Sequence, residues 1–478
     1  MAPRAKKKTP DLFTAAYLEA MPDSLEEVHA RRRAPRRAPR PGGMIARALP
    51  AEAIALGGQI ITPNGARKGW VTIVGGEIVA ISQRKPTDAL TLQTGGVILP
   101  GMLDLHGHPE FNVFAPWEPP KTYVNRYTWR ASTPYQNLVR KPQNELIKQL
   151  PKGTQLRYAE IRALVGGVTA IQGASLSTQG KRESMVRNVD GMVFGEHRAR
   201  AAIDLPASLT SFGGGPTMKK VLDAIAAGEV NAYYLHLAEG RRDNERSQKE
   251  FAHLVELGAL TSATVIIHGT ALSRDQLGQL KDAGARLVWS PQSNLRLYGE
   301  TTRAGDALDV GLPMALGADW MPSGSLNLLA EMKVARQELA NQGHPITAKQ
   351  LVKMVTSGAA EVAGLSEKLG HLDVGCVADV VVMASQDDDA YESVCQSTPA
   401  EVQLVMIGGN LVYGREDYVR TLAADPGDPN LEPVVAWGQR MLLDTSFEVN
   451  PSADATPRLS TIRQSLTAIY PPVGPIWA

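Results

Sequence analysis

The stretch Val97-Ile98-Leu99-Pro100-Gly101-Met102-Leu103-Asp104-Leu105-His106-Gly107-His108 contains an apolar run, a Pro-Gly break, a second short apolar run and two histidines two positions apart. Residues two apart on an extended chain project to the same face, so His106 and His108 address one site. Gly107 between them removes a side chain and lets the backbone approach a ligand. Gly101–Leu105 is therefore read as a strand that delivers a His-x-His pair at its C-terminal end.

Beyond this strand, short apolar runs alternate with helical segments. The further strands expected are Val168–Gln172, Met185–Val189, Ala207–Phe212, Ala232–Leu237, Thr264–His268, Arg286–Trp289 and Pro313–Gly317. Leu156–Leu164, Met218–Ala227, Ser247–Leu257 and Arg274–Ala283 read as helices between them, and Thr347–Ala363 as a later helix ended by Gly364. Eight strands separated by helices over about 260 residues match a (β/α)8 barrel, whose usual size is ~250 residues. The segment from Pro109 to Pro151 is then a long first excursion after a strand, rich in Trp, Tyr, Pro and Arg. Loops on that face commonly build active sites.

Both flanks of the barrel are strand-rich. Ile60-Ile61-Thr62, the turn Pro63-Asn64-Gly65, Gly69 to Val74, Gly75-Gly76 and Glu77 to Ile81 suit a small antiparallel layer. A matching stretch returns at Gly370 to Gly375, Ala378 to Met383 and Val402 to Val412. The expected fold is α/β, a (β/α)8 TIM-like barrel with a small discontinuous β-sandwich formed by the flanking segments. The expected division is a basic tail and linker (1–50), the leading sandwich segment (51–98), the barrel (99–365), the returning sandwich segment (366–420) and a C-terminal extension (421–478).

The chain has 478 residues, 43% hydrophobic and 21% charged, which excludes a disordered, collagen-like or disulfide-scaffold protein. Its net charge of +1 joins two unlike regions. Residues 1–47 hold 11 Lys and Arg against 5 acids, and the rest of the chain holds 39 against 44. Nothing in the tail matches a nucleic-acid-binding motif, and its partner is left unknown. Cys376 and Cys395 are too few to staple this length, and no run approaches the ~18 apolar residues of a membrane span. A cytoplasmic location is the default expectation, without membrane or nucleic-acid contacts of the folded body.

Four histidines and one aspartate stand at strand ends: His106, His108, His236 after Tyr233-Tyr234-Leu235, His268 after Val265-Ile266-Ile267, and Asp319 after Leu316-Gly317-Ala318. On a parallel barrel these ends meet at one mouth. Imidazoles and a carboxylate around an open position suit a catalytic Zn²⁺, or Fe²⁺, that lowers the pKa of bound water. A single strand-end histidine is more often a hydrogen-bonding group, but several on separate strands make coincidence a poor account. Glu239, three residues past His236, is placed to move a proton to a leaving nitrogen, although a surface glutamate opening a loop is its simpler reading. His29, His197, His253, His344 and His371 lack this context and read as structural or exposed.

These residues resemble the amidohydrolase superfamily, in its mononuclear-metal branch with cytosine deaminase, chlorotriazine hydrolases and imidazolonepropionase. The resemblance spans roughly residues 52–420 and rests on the opening stretch, His236-x-x-Glu239 and Trp289-Ser290-Pro291-Gln292-Ser293-Asn294-Leu295. It also rests on Leu316 to Asp319 with Ser323-Gly324-Ser325, and on Gly370-x-Leu372-x-Val374-Gly375-x-x-Ala378-Asp379. It implies that His106, His108, His236 and Asp319 bind the metal and that Asp319 also takes a proton from the attacking water. It implies further that His268 hydrogen-bonds the hydroxide or an oxyanion and that Glu239 protonates the leaving group. A second metal in this superfamily needs a carboxylated lysine on strand four. Ala207–Phe212 has none, so one divalent ion per chain is expected.

The expected activity is metal-dependent hydrolysis of a non-peptide C–N bond in a cyclic amide, amidine or amino-heterocycle. Alternatives are a linear amide, a carbamate or an N-acyl amino acid, whose carboxylate Arg126, Arg130, Arg241, Arg242 or Arg296 would hold, and an inactive interaction protein. Trp117, Arg296, Ser293, Asn294 and Trp320 are expected substrate contacts, and Trp117, Tyr123, Tyr127 and Trp129 either wall an aromatic pocket or pack on the barrel. A homo-oligomer is expected by analogy with the superfamily.

Overall fold

The computed structural model describes residues 53–151, 153–173, 185–191, 193, 194, 196, 198–211, 216–447 and 458–477. The basic tail with His29, and His197, lie outside the described residues. Four strands come first: β1 (Ala53–Thr62), β2 (Gly65–Val74), β3 (Glu77–Ser82) and β4 (Ala89–Pro100). The β1–β2 hairpin turns at Asn64-Gly65, where Gly65 adopts φ +118°, a backbone that strains any residue with a Cβ.

Eight short strands follow: β5 (Met102–Asp104), β6 (Val168–Ile171), β7 (Arg187–Asn188), β8 (Ala199–Ala202), β9 (Ala232–Leu237), β10 (Thr264–His268), β11 (Arg286–Trp289) and β12 (Met314–Leu316). All their pairings are parallel, in the orders β5-β6-β7 and β12-β11-β10-β9-β8. The β5 and β12 edges meet through a parallel bridge between Gly107 and Asp319. At the opposite end of this seam, Met354 and Val355 accept from Leu316 N and Leu103 N. Side chains alternate as a strand buried on both faces requires. On β10, Val265 and Ile267 join one apolar cluster with Leu105, Tyr234 and Val288, while Ile266 joins another with Leu235 and Leu287.

The fourth strand departs from expectation. It is β8, and Ser208 to Ser211 instead form a turn closed by Ser211 N donating to Ser208 O. Ala199-Arg200-Ala201-Ala202 has no β-branched residue to announce a strand, and its pairing with β9 is what makes it extended. It too contains no lysine. The expected helix Thr347–Ala363 is two helices, Ala348–Lys353 and Ser357–Ala363, broken at Thr356 and ended at Gly364.

Five strands complete the chain: β13 (Val380–Met383), β14 (Val402–Ile407), β15 (Asn410–Arg415), β16 (Leu431–Ala436) and β17 (Gln439–Asp444). They join the first four in one nine-stranded sheet, β16-β17-β15-β14-β13-β4-β1-β2-β3. The region read as an extension thus supplies two strands of this sheet. Asp379 joins the nine-stranded sheet to the parallel strands: its carbonyl accepts from Gly101 N, and its carboxylate grips the Arg187 guanidinium of β7 with two 2.8 Å bonds. Among the described residues, no helix is long and apolar enough to cross a membrane.

Candidate active site

The C-terminal ends of β5, β9, β10 and β12 bring His106, His108, His236, His268 and Asp319 together. His106 Nε2 lies 3.1 Å from His236 Nε2 and 3.4 Å from Asp319 Oδ1, and His108 Nε2 lies 3.8 Å from the same oxygen. Donors around a tetrahedral ion with bonds of ~2.0–2.1 Å stand about 3.3–3.4 Å apart, so these separations fit one cation. Among the described residues, the groups with metal-ligand spacing are His106, His108, Asp319 and His106, His236, His268.

The electrostatics of the cluster fit a cation too. Burial and neighbouring imidazoles hold His106 and His236 well below the usual histidine range, and burial, His268 and Arg130 take His108 down to about 3. The rings are therefore neutral and offer lone pairs. Asp319 has the opposite problem. Burial drives its carboxyl well above the usual range, with Glu239 and Asp104 pushing the same way and Ser293 and the Trp320 backbone opposing. Neutral donors around a carboxyl that resists ionisation alone are a set that a divalent ion satisfies.

Local backbone geometry fixes these groups. Asp319 (φ +59°) and His268 (φ +67°) sit in the left-handed region, which non-glycine residues rarely occupy outside sites that hold them there. Asp319 N donates to His106 O at 2.8 Å, and Asp104 Oδ1 accepts from both His106 N and Ala318 N. Gly317 allows this approach: a Cβ there would lie 2.4 Å from His106 Cβ and 2.6 Å from His106 N. His106 Nδ1 meets Ser290 Oγ at 2.8 Å, which orients Nε2 toward the cluster.

His268 is oriented by Asn294, whose Oδ1 lies 2.9 Å from Nδ1 while its Nδ2 donates to Thr301 and Thr302. Because the amide nitrogen is spent on the threonines, His268 Nδ1 is the donor and Nε2 faces the site. Glu239 lies across from that nitrogen, Oε2 to Nε2 3.7 Å. Its other oxygen, Oε1, accepts from the Tyr298 hydroxyl at 2.5 Å, and Tyr298 in turn accepts from Trp129 Nε1 at 2.8 Å. Glu250 accepts from Ala238 N and pairs with Arg126, whose own N donates to Glu239 O.

The expected substrate contacts separate. Ser293 hydrogen-bonds Asp319 and Ser323, and buried Trp320 packs tilted at 5.2 Å from Trp129 and edge-on at 5.6 Å from Phe111, itself beside His108. Trp117 is buried farther along the wall, against Tyr123 and Tyr135. Asn294 serves His268, and Arg296 turns to Pro322 O and Glu118. Arg126 and Arg130 pair with Asp204, and Arg241 and Arg242 with Glu300, so these arginines neutralise protein acids. His253 and His344 lie on Pro206 O and Asp309, outside the cluster.

Tyr298 and Ser290 were missed by sequence reasoning. Tyr298 had a signal, since it lies four residues after Asn294 on the helix Pro291–Tyr298 and so shares its face. Ser290 precedes a Pro at the helix start and looks like an ordinary cap.

Comparison with known proteins bears on the family and the fold. The profile of the Amidohydrolase family matches residues 145–412, more than half of the chain. A protein of Haloquadratum walsbyi named 5-methylthioadenosine/S-adenosylhomocysteine deaminase is 26% identical over 348 residues, 66% of this chain and 78% of that protein. Among solved structures, a zinc-bound adenosine deaminase of Xanthomonas campestris superposes with TM-score 0.55 at 16% identity, covering 75% of this chain and 92% of that one. An atrazine chlorohydrolase of Arthrobacter aurescens complexed with zinc gives TM-score 0.60 at 15% identity over 87% and 99%. These likenesses show a TIM-barrel-type α/β fold, and with the family match the chain belongs to the amidohydrolase family.

Proposed function

We propose that this amidohydrolase is a metal-dependent deaminase, a hydrolase that replaces an amino group on a nitrogen heterocycle by oxygen, with purine nucleosides as its substrate class. The observation that carries the reading is the meeting of three neutral imidazoles and Asp319, with a second carboxyl, Glu239, across His268. The names of the Haloquadratum relative and the Xanthomonas structure support the substrate class.

In this reading His106, His108, His236 and Asp319 hold one divalent ion, Zn²⁺ in preference to Fe²⁺. When bound, such an ion lowers the pKa of a water toward ~7 and polarises the carbon under attack. Asp319 takes the proton released by the attacking water. His268 presents Nε2 to the oxygen of the attacking group, held by Asn294. Glu239 carries a proton to the leaving nitrogen, so that ammonia departs neutral. Trp320 and Trp129 offer a flat apolar wall for a heterocycle, and Ser293 a hydroxyl beside Asp319.

The same reading takes β5 to β12 as one closed (β/α)8 barrel and the nine-stranded sheet as a β-sandwich built from both flanks. It makes the protein a cytoplasmic homo-oligomer, and two buried, unpaired cysteines suit a reducing compartment. Zinc-loaded protein is expected to carry about one ion per chain and to release ammonia from 5′-methylthioadenosine. Asp319→Asn should abolish turnover and leave the fold intact. A folded protein that takes up no divalent ion would sink the reading.

A further inference from the structure

We propose that Trp129 and Tyr298 form a fixed hydrogen-bond relay that makes Glu239 a one-sided acid/base, Oε1 held as an acceptor and Oε2 carrying the mobile proton. The inference rests on Glu239 being the proton carrier proposed above and adds which oxygen works and what selects it. An indole N–H donates and cannot accept, so Trp129 occupies a lone pair of the Tyr298 oxygen. The phenol has one hydrogen, and Glu239 Oε1 at 2.5 Å is where it goes. Accepting this bond makes Oε1 the less basic of the two oxygens. Oε2, which faces His268 Nε2 at 3.7 Å, is left to take it up and release it.

The relay is rigid for reasons visible around it. Trp129 is buried and packs at 5.2 Å from Trp320 and 5.1 Å from Tyr135, on a short helix capped by Asn125. Tyr298 ends the helix Pro291–Tyr298, which also carries Asn294, so one helix orients both His268 and Glu239. Burial, together with the Glu239 charge, pushes the Tyr298 hydroxyl well above the usual range, so it stays protonated and remains a donor. The other titratable or charged groups facing Glu239 are His268 from β10, Arg126 from the first excursion and Asp319 from β12. Tyr298, unlike these three, donates a hydrogen bond to the carboxyl side chain. It is a positioning residue, acting on the reaction through Glu239.

Infrared difference spectra recorded across pH on zinc-loaded protein test the relay, with Glu239→Gln as the blank that isolates the Glu239 band. Tyr298→Phe removes a charge-assisted bond from the carboxylate while keeping the ring. The Glu239 midpoint should rise by about one pH unit, tenfold in its protonation constant, and zinc content should stay at the parent level. Trp129→Phe keeps the phenol and frees its lone pair, so the midpoint should move the same way by less. An unshifted midpoint in Tyr298→Phe overturns the relay, whichever heterocycle the enzyme accepts. Ammonia release from 5′-methylthioadenosine by Glu239→Gln reads the underlying assignment separately. A parent-like rate there overturns Glu239 as proton carrier and the relay with it, whereas an inactive Glu239→Gln beside an unshifted Tyr298→Phe overturns the relay alone.

Discussion

Asp379→Asn should destabilise the protein far more than a conservative exchange near the surface would. The Asp379 carboxylate receives Arg187 Nε and Nη2 at 2.8 Å each and Gly408 N at 2.8 Å, and both members of the ion pair are less than a tenth exposed. Asparagine keeps an acceptor for Gly408 but leaves the guanidinium buried without a counter-charge. Breaking one side of a buried pair costs about 3–5 kcal/mol, because the remaining charge stays desolvated. Unfolding entropy of about 2.1 cal/mol/K per residue over 478 residues is near 1 kcal/mol/K, so the midpoint should fall by about 3–5 °C. Arg187→Met should lose a similar amount, including about 0.5–1 kcal/mol from its stack on Phe194, 4.7 Å away. The double variant Arg187→Met/Asp379→Asn removes both charges, so its loss should fall about 1–3 kcal/mol short of the sum of the single losses. Differential scanning calorimetry of the four proteins closes the cycle. Additive losses, or an Asp379→Asn midpoint within about a degree of the parent, would refute the claim that this pair is the joint between sheet and barrel strands.

Other expectations follow from individual contacts. Asn294→Ala leaves His268 Nδ1 without its acceptor, and turnover should drop about tenfold to a hundredfold while metal content holds. Gly317→Ala forces a Cβ into the His106 backbone, so metal retained after dialysis should fall, along with about 1–3 kcal/mol of stability. Burial drives Glu331 up to about 8 in the metal-free protein, against an ordinary value of 4.5. Between those values the folded state keeps a proton that the unfolded state has lost, so stability falls as pH rises through the window. Glu331→Gln, which can still bond Ser325 and Gln292 N, should gain on the parent by at most about 5 kcal/mol between pH ~5 and ~8. Equal denaturant midpoints at both ends would contradict this. Removing residues 1–43, which lie ahead of β1, should spare metal binding and turnover.

What the amino-acid string reveals of this site depends on the range of the interaction that makes it. His106 and His108 are legible because strand periodicity is local: two residues apart means one face, whatever the rest of the chain does. His236, His268 and Asp319 are legible because each follows a short apolar run that suits a buried strand, and parallel strands end together. Ala199–Ala202 escapes this logic, since alanine and arginine carry no strand preference and only pairing with β9 and burial extend them. The more alternating Ala207 to Ser211 is the natural candidate by pattern, and its serines instead bond one another in a turn.

The partners that tune the site belong to a third kind, where residue type is uninformative and position is everything. Asn294 stands out as a polar residue near a mouth, and its work on His268 joins residues 26 apart in the chain, on a strand end and a helix. Trp129 and Tyr298 are 169 residues apart, and residue type alone gives neither a hydrogen-bonding role. Only the direction of their hydrogen bonds, an obligate donor feeding a phenol that must then point at Glu239, turns packing into proton control. An indole-to-phenylalanine change that alters a carboxyl titration without touching the carboxyl would therefore be the clearest sign that this aromatic wall does more than exclude water.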